Sequence, residues 1–335
     1  MDLGVFAFHF SDREDMPFEE LLSLAQNAGL RAIELGTGGF VAQRVSRVGD
    51  LMTSLQQRDE LLAKIAGAGL YVSALNAIGN PFHPDPEVAR RCVQELRQTI
   101  DLAAELGINR VVAGGGCPGD APGARYPNWA VYPYFIDGLW DIQWREQILP
   151  FWREIGAIAA ELKVYICIEP HPVMAVYNFE TFSRVREAGG EYIAVNYDPS
   201  HFFWTGIDPI VLIRRLGGAI QHVHAKDTRL NSELMAINGL LDPTPFSSHE
   251  QRSWNYCAMG DGHNASYWRS FFAELAASGY DGPISIEHED VTVHGRDALE
   301  KNVSFLRSVI PPLSVGTTQP APPPADHRDK AADSL

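Results

Sequence analysis

Acidic and imidazole side chains close several short apolar runs in this sequence, and four of them could share one cation. Glu169 ends the run in ICIEPHP, Asp198 follows the run in VNYDPSH, His224 lies in QHVHAKD and Glu287 closes PISIEHED. Each apolar run must point into a packed interior, which carries its polar end to the edge of that interior. Three carboxylates converging there would repel one another and lose solvation. A divalent cation removes that cost. Three carboxylates with one imidazole suit Mn2+, Mg2+ or Co2+ better than a thiolate-rich zinc site. Manganese is the first expectation, with magnesium, cobalt and zinc as alternatives. The competing interpretation is four separate polar residues solvated at a rim.

Other residues stand close to these four in the sequence. His171, two past Glu169, points the same way by strand alternation, and Pro170 and Pro172 fix its backbone. It is a candidate substrate ligand or additional general base, or a loop histidine stacked on an aromatic ring. Arg229, shortly after His224, could clamp a substrate hydroxyl or phosphate, or make a surface salt bridge. Lys226 and Asp227 are expected to pair with each other. His222 faces inward at a deeper level and reads as a packed, hydrogen-bonded core histidine. Asn76, at the end of the third apolar run, is a candidate substrate contact. The Gly114-Gly115-Gly116 cluster could cradle a phosphate, but no G-x-G-x-x-G follows the first strand.

The elements that must position these groups alternate along the chain. Strands are predicted over 4–8, 32–35, 71–75, 110–113, 165–168, 193–197, 219–224 and 283–287. Helices are predicted over 18–28, 55–68, 86–106, 142–162, 179–187, 209–216, 265–278 and 296–309, several closing at Gly29, Gly69 or Gly107. Eight strand and helix units in strict alternation favour a closed (β/α)8 TIM barrel over an open doubly wound sheet. In such a barrel function sits where the strands end. Glu34, Asn76, Glu169, His171, Asp198, His201, His224, Asp227, Glu287, His288 and Glu289 all fall there. Two long loops follow the fourth and seventh strands. The first carries Tyr126, Trp129, Tyr132, Tyr134, Phe135 and Trp140, and the second runs from Leu230 to Met259. Loops of this length are usually functional, and aromatic faces stack on sugars and aglycones; an oligomer interface is the alternative use.

The whole chain fits one domain over residues 1–310, followed by a Pro- and Ala-rich tail over 311–335 that is expected to be disordered. Its 335 residues, 45% hydrophobic and 21% charged, suffice for a full core. With 27 basic against 42 acidic residues, a net charge of −15 and no basic run, nucleic acid is not an expected partner. No apolar run reaches membrane-spanning length, and residues 1–10 read as a strand rather than a signal peptide. Cys92, Cys117, Cys167 and Cys257 lack paired or zinc-finger spacing, so a reducing, cytoplasmic setting is expected.

The stretches IEPHPVMAVYNFET, NYDPSHFFWTGIDP, HVHAKDTR, GDGHNASYWRSFF and YDGPISIEHED resemble the sugar phosphate isomerase/epimerase family with its xylose-isomerase-like barrel. The resemblance covers roughly residues 1–309. It implies a carbohydrate substrate and one metal held by Glu169, Asp198, His224 and Glu287. By the same resemblance Glu169 and Glu287 double as acid/base residues on opposite faces of the substrate, and His201 contacts a substrate oxygen. A metal-polarised carbonyl acidifies the adjacent C–H and stabilises an enediolate. Proton return to the opposite face gives epimerisation, and return to the neighbouring carbon gives isomerisation. Asp261-Gly262-His263 is also similar to a motif of trinuclear-zinc apurinic endonucleases on this barrel. This chain lacks their histidines on earlier strands, so one metal is expected and His263 is a candidate substrate contact. The leading expectation is a metal-dependent isomerase or epimerase of a keto-sugar, as a homo-oligomer. The alternative is a lyase cleaving a 3-keto glycoside by β-elimination, similar to the catalytic subunit of C-glycoside deglycosidases, with His171 as base and a small partner subunit. A third possibility is a non-catalytic sugar-binding barrel.

Overall fold

The computed structural model describes residues 1–131 and 138–311. Eight parallel strands form a closed barrel: β1 (Leu3–Phe6), β2 (Ala32–Gly36), β3 (Tyr71–Asn76), β4 (Arg110–Gly114), β5 (Tyr165–Glu169), β6 (Ile193–Tyr197), β7 (Ile220–Ala225) and β10 (Ile284–Ile286). The last strand pairs with the first, Leu3 opposite Ile284 and Val5 opposite Ile286, and this pairing closes the barrel. A separate two-stranded antiparallel hairpin, β8 (Asp227–Leu230) with β9 (Trp254–Cys257), rises from the loop that follows β7.

Strand parity sorts the side chains. In β5, Ile166 and Ile168 face outward into the large core shared with the helices, whereas Cys167 faces inward with Ala74, Val112 and Ala194 in a small cluster inside the barrel. Successive strand residues alternate faces, so Glu169 inherits the inward direction of Cys167. By the same alternation Asp198 follows Ala194 and Asn196, His224 follows His222, and Glu287 follows Ser285. The small residues low in the barrel leave room for polar groups to stack above them.

Several boundaries differ from those predicted. Strand one stops at Phe6, and Phe8–Ser11 forms a single helical turn instead of continuing the strand. The neighbouring strand β10 ends at Ile286, so residues beyond Val5 have no ladder partner on that side. The helix predicted over 142–162 divides into a π-helical segment, Asp141–Ile148, and an α-helix, Leu149–Leu162. Pro150 accounts for the break: it lacks the N–H that would bond the carbonyl four residues earlier. The long segment after β7 is structured, with the β8–β9 hairpin enclosing a helix at Ser232–Asn238. Tyr132, Tyr134, Phe135 and the tail from residue 312 lie outside the described residues. No described helix is long and apolar enough to cross a membrane.

Candidate metal centre

Glu169, Asp198, His224 and Glu287 converge at the C-terminal mouth of the barrel, each offering a ligand atom within 4.8 Å of the others. They are 3%, 0%, 1% and 9% exposed. His224 is oriented by a buried carboxylate behind it: its Nε2 lies 3.0 Å from Glu34 Oε2, which leaves Nδ1 facing Glu169 Oε2 at 3.1 Å and Glu287 Oε2 at 2.6 Å. Asn76 Nδ2 in turn donates to Glu34 Oε1 at 2.8 Å.

The other carboxylates have their own supports. Asn196 Nδ2 donates to Glu169 Oε2 at 2.6 Å, while Asn196 Oδ1 faces His222 Nδ1 at 2.8 Å. His201 Nε2 sits 3.1 Å from Glu169 Oε1 and 3.0 Å from Asp198 Oδ2, and its Nδ1 meets the Tyr256 hydroxyl at 3.0 Å. The backbone N–H of Ser200 donates to Asp198 Oδ1. Glu287 Oε1 lies 3.1 Å from His9 Nε2 and 3.0 Å from Lys226 Nζ, which also reaches Glu289 Oε1 at 2.6 Å. Arg13 holds the other oxygen of Glu289 at 2.7 Å.

Charge and geometry both fit a divalent cation. Glu34, Glu169, Asp198, Glu287 and Glu289 crowd together, against Lys226 and Arg13 as the permanent cations beside them. Asp198 Oδ2 and Glu287 Oε2 are buried and accept no hydrogen bond from any described residue, despite the ring nitrogens alongside. A buried carboxylate oxygen left this way is costly, and a metal ion satisfies both. Burial pushes the pKa of Glu169 up, but hydrogen bonds from His201 and His224 outweigh it and hold the carboxyl below its usual range. Glu287 behaves likewise, with burial opposed mainly by Lys226 and His224. Burial disfavours charge on His201, yet Asp198 and Glu169 bring its pKa up to about 9. Glu169 and Glu287 therefore stay ionised and attract positive charge. Hard oxygen donors with one imidazole suit Mg2+, Mn2+, Co2+ or Zn2+.

The remaining sequence candidates are placed as follows. His171 packs on His201 with ring centroids 4.0 Å apart and lines a cavity of about 620 Å3 beside the centre. Burial and His201 push its pKa down to about 4. Asn76 is buried with both amide atoms engaged, by Glu34 and by the N–H of Ile78. Arg229 is exposed on β8 and lines a different depression, with Asn231 and Glu250. His263 bonds Asp227 Oδ1 at 2.8 Å and stacks on Phe203 at 3.8 Å. The expected Lys226–Asp227 pairing is not present. Lys226 turns to Glu287 and Glu289, while Asp227 accepts from the backbone of Gly260, Gly262 and His263. Adjacent residues on an extended chain point to opposite faces. Gly115 and Gly116 pack against Val176 and Phe82.

Sequence reasoning gave no specific role to Glu34, Asn196, His9 or Tyr256, and gave Lys226 a different partner. Glu34 was visible as an acid at a strand end, and Asn196 shares strand parity with Asp198. His9 needed the early end of β1, and Tyr256 needed a hairpin whose strands are far apart in the chain. Neither leaves a local sequence signal.

The model of the xylose isomerase-like TIM barrel family matches residues 22–309. The Bacillus subtilis (strain 168) protein YfiH is 34% identical over 300 residues, covering 88% of this chain and 96% of its own. Inosose dehydratase of Geobacillus thermodenitrificans (strain NG80-2) is 22% identical over 260 residues, 76% of this chain and 80% of that protein. Among solved structures, the IolI protein with a bound zinc atom superposes with a TM-score of 0.64 at 17% identity, over 92% of this chain and 98% of its own. With the closed barrel and its strand-end site, these matches show that the chain belongs to the xylose isomerase-like TIM barrel family.

Proposed function

We propose that this protein is a divalent-metal-dependent isomerase or epimerase of a keto-sugar, with Glu169, Asp198, His224 and Glu287 as ligands and Glu169 and Glu287 as the proton-transfer pair. The observation that carries this reading is the convergence of the four buried ligand atoms, among them two carboxylate oxygens faced by ring nitrogens without an aligned hydrogen bond. When bound, the cation would polarise a substrate carbonyl and acidify the adjacent C–H.

The protein's own groups supply the rest. Glu169 and Glu287 approach His224 Nδ1 from separate strands, each anchored by different partners, Asn196 and His201 for one, His9 and Lys226 for the other. Two independently held carboxylates allow one to take a proton from carbon while the other returns one. His201, fixed by Tyr256 on one nitrogen, presents the other beside Glu169 and Asp198, where a substrate oxygen can accept from it. The test is solvent deuterium incorporation into a panel of keto-sugars by metal-loaded protein. Exchange at the carbon beside the carbonyl, without fragment loss, supports the reading; metal binding with no exchange in any sugar would sink it and favour a binding role.

A second outcome of the same proton removal is favoured by the inosose dehydratase match: expulsion of a leaving group β to the carbonyl. His171, on the cavity side of the centre, is then the candidate base. Release of water or an aglycone alongside proton removal distinguishes it.

A further inference from the structure

The cavity of about 620 Å3 beside the centre is larger than one sugar ring requires, since pockets of roughly 300–1,000 Å3 take drug-sized molecules. Its far wall comes from the β8–β9 hairpin, the segment it encloses and Trp204, from the turn after β6. Trp204 and Trp254 stack there at 4.4 Å, and Phe246 stacks on Tyr256 at 5.9 Å. The Arg252 guanidinium lies 4.0 Å over the Phe246 ring and 4.7 Å over Trp254. Trp204, Trp254 and Tyr256 are buried, whereas Phe246 remains 46% exposed and lines the cavity.

The wall is continuous with the centre. Tyr256 lines the cavity and bonds His201, which touches Glu169 and Asp198; Glu289 lines it and shares Lys226 with Glu287. The cavity thus meets the centre through His171, Tyr256 and Glu289, the side chains next to the proposed ligands.

The chemistry of the wall selects what lies there. A second sugar would bring several hydroxyls, each needing a partner once desolvated. The charged side chains of the wall are already committed. Asp242 accepts from the backbone N–H groups of Thr244 and Ser253, Arg252 donates to the carbonyls of Trp254 and Thr244, and Glu289 is taken by Lys226 and Arg13. Flat rings stacked with a guanidinium suit a flat apolar group.

We propose that this wall is a subsite for an apolar, aromatic aglycone, so that the substrate is a keto-sugar carrying an aryl substituent rather than a free sugar. The inference rests on the carbohydrate reading of the centre and names its substrate class.

The test uses phenyl and methyl glycosides of the same sugars, glucosides and galactosides, with cellobiose as the two-sugar competitor. These lack the ring ketone and are not turned over, so calorimetry and tryptophan fluorescence read binding alone on metal-loaded protein. Phenyl glycosides are expected to bind at least about tenfold more tightly than their methyl counterparts and than cellobiose. Phe246→Ala, an exposed position, should remove most of that preference with metal content unchanged, and Trp254→Leu should do the same. Equal affinity of phenyl and methyl forms, no binding of either, tighter binding of cellobiose, or a preference that survives both substitutions would overturn the subsite. Deuterium exchange in keto-sugars without any phenyl preference would sink the subsite and leave the reaction standing. A phenyl preference with no exchange in any keto-sugar would sink the reaction instead.

Discussion

Glu34, fully buried behind His224, is the residue whose change tests how the centre is held. Its carboxylate holds His224 Nε2 and thereby aims Nδ1 at Glu169 and Glu287. Partners of this kind, behind a ligating histidine, typically matter 10–100-fold in metal affinity. Glu34→Gln is accordingly expected to weaken metal binding by about 10–100-fold in a calorimetric titration; unchanged affinity would mean the imidazole is held by packing alone. The proposed proton-transfer pair makes a different demand. Glu169→Gln and Glu287→Gln should each cut turnover by about a hundredfold or more, with far-ultraviolet circular dichroism unchanged. Near-normal rates at normal metal content would remove that residue from the acid/base role.

At the scale of elements, the helices must sit close enough to hold the strands in register. Gly156, on the helix Leu149–Leu162, meets the helix Phe179–Gly189 so tightly that a Cβ would lie 1.9 Å from the Gly189 carbonyl oxygen. Gly156→Ala should therefore lower stability by about 1–3 kcal/mol, seen as a reduced urea midpoint, while metal affinity per folded molecule holds. No change in midpoint would show that the two helices can separate freely. Elements also explain what the sequence did and did not reveal. Alternation is a local rule, so the inward direction of Glu169, Asp198, His224 and Glu287 could be read from the runs in which they sit. Where β1 ends depends on the length of β10, hundreds of residues away, and His9 was hidden for that reason. The β8–β9 hairpin joins strands of four residues each across a long insertion, so Tyr256 and the cavity wall left no periodic trace. The Pro150 break was open to view as a proline within a helical pattern, yet its π-helical consequence depends on tertiary packing.

At the scale of the whole molecule, a cation bound only by the folded state adds stability by mass action. Chelation followed by dialysis should lower Tm, and restoring the metal to ~100 times its Kd should return about 2.7 kcal/mol. A melting curve indifferent to metal would show that the four ligands do not bind it in the native state.

Glu287 lies just past β10, the three-residue strand that joins β7 to β1, and its neighbour His9 comes from the opposite end of the polypeptide. A nascent chain with Tyr280 just synthesised already carries Glu169, Asp198 and His224, but neither the fourth donor nor the ring closure that brings His9 into place. On the proposed ligand set, full coordination of an ion would have to await residue 287, and truncation anywhere between His224 and Glu287 would leave an open sheet with an incomplete set of donors.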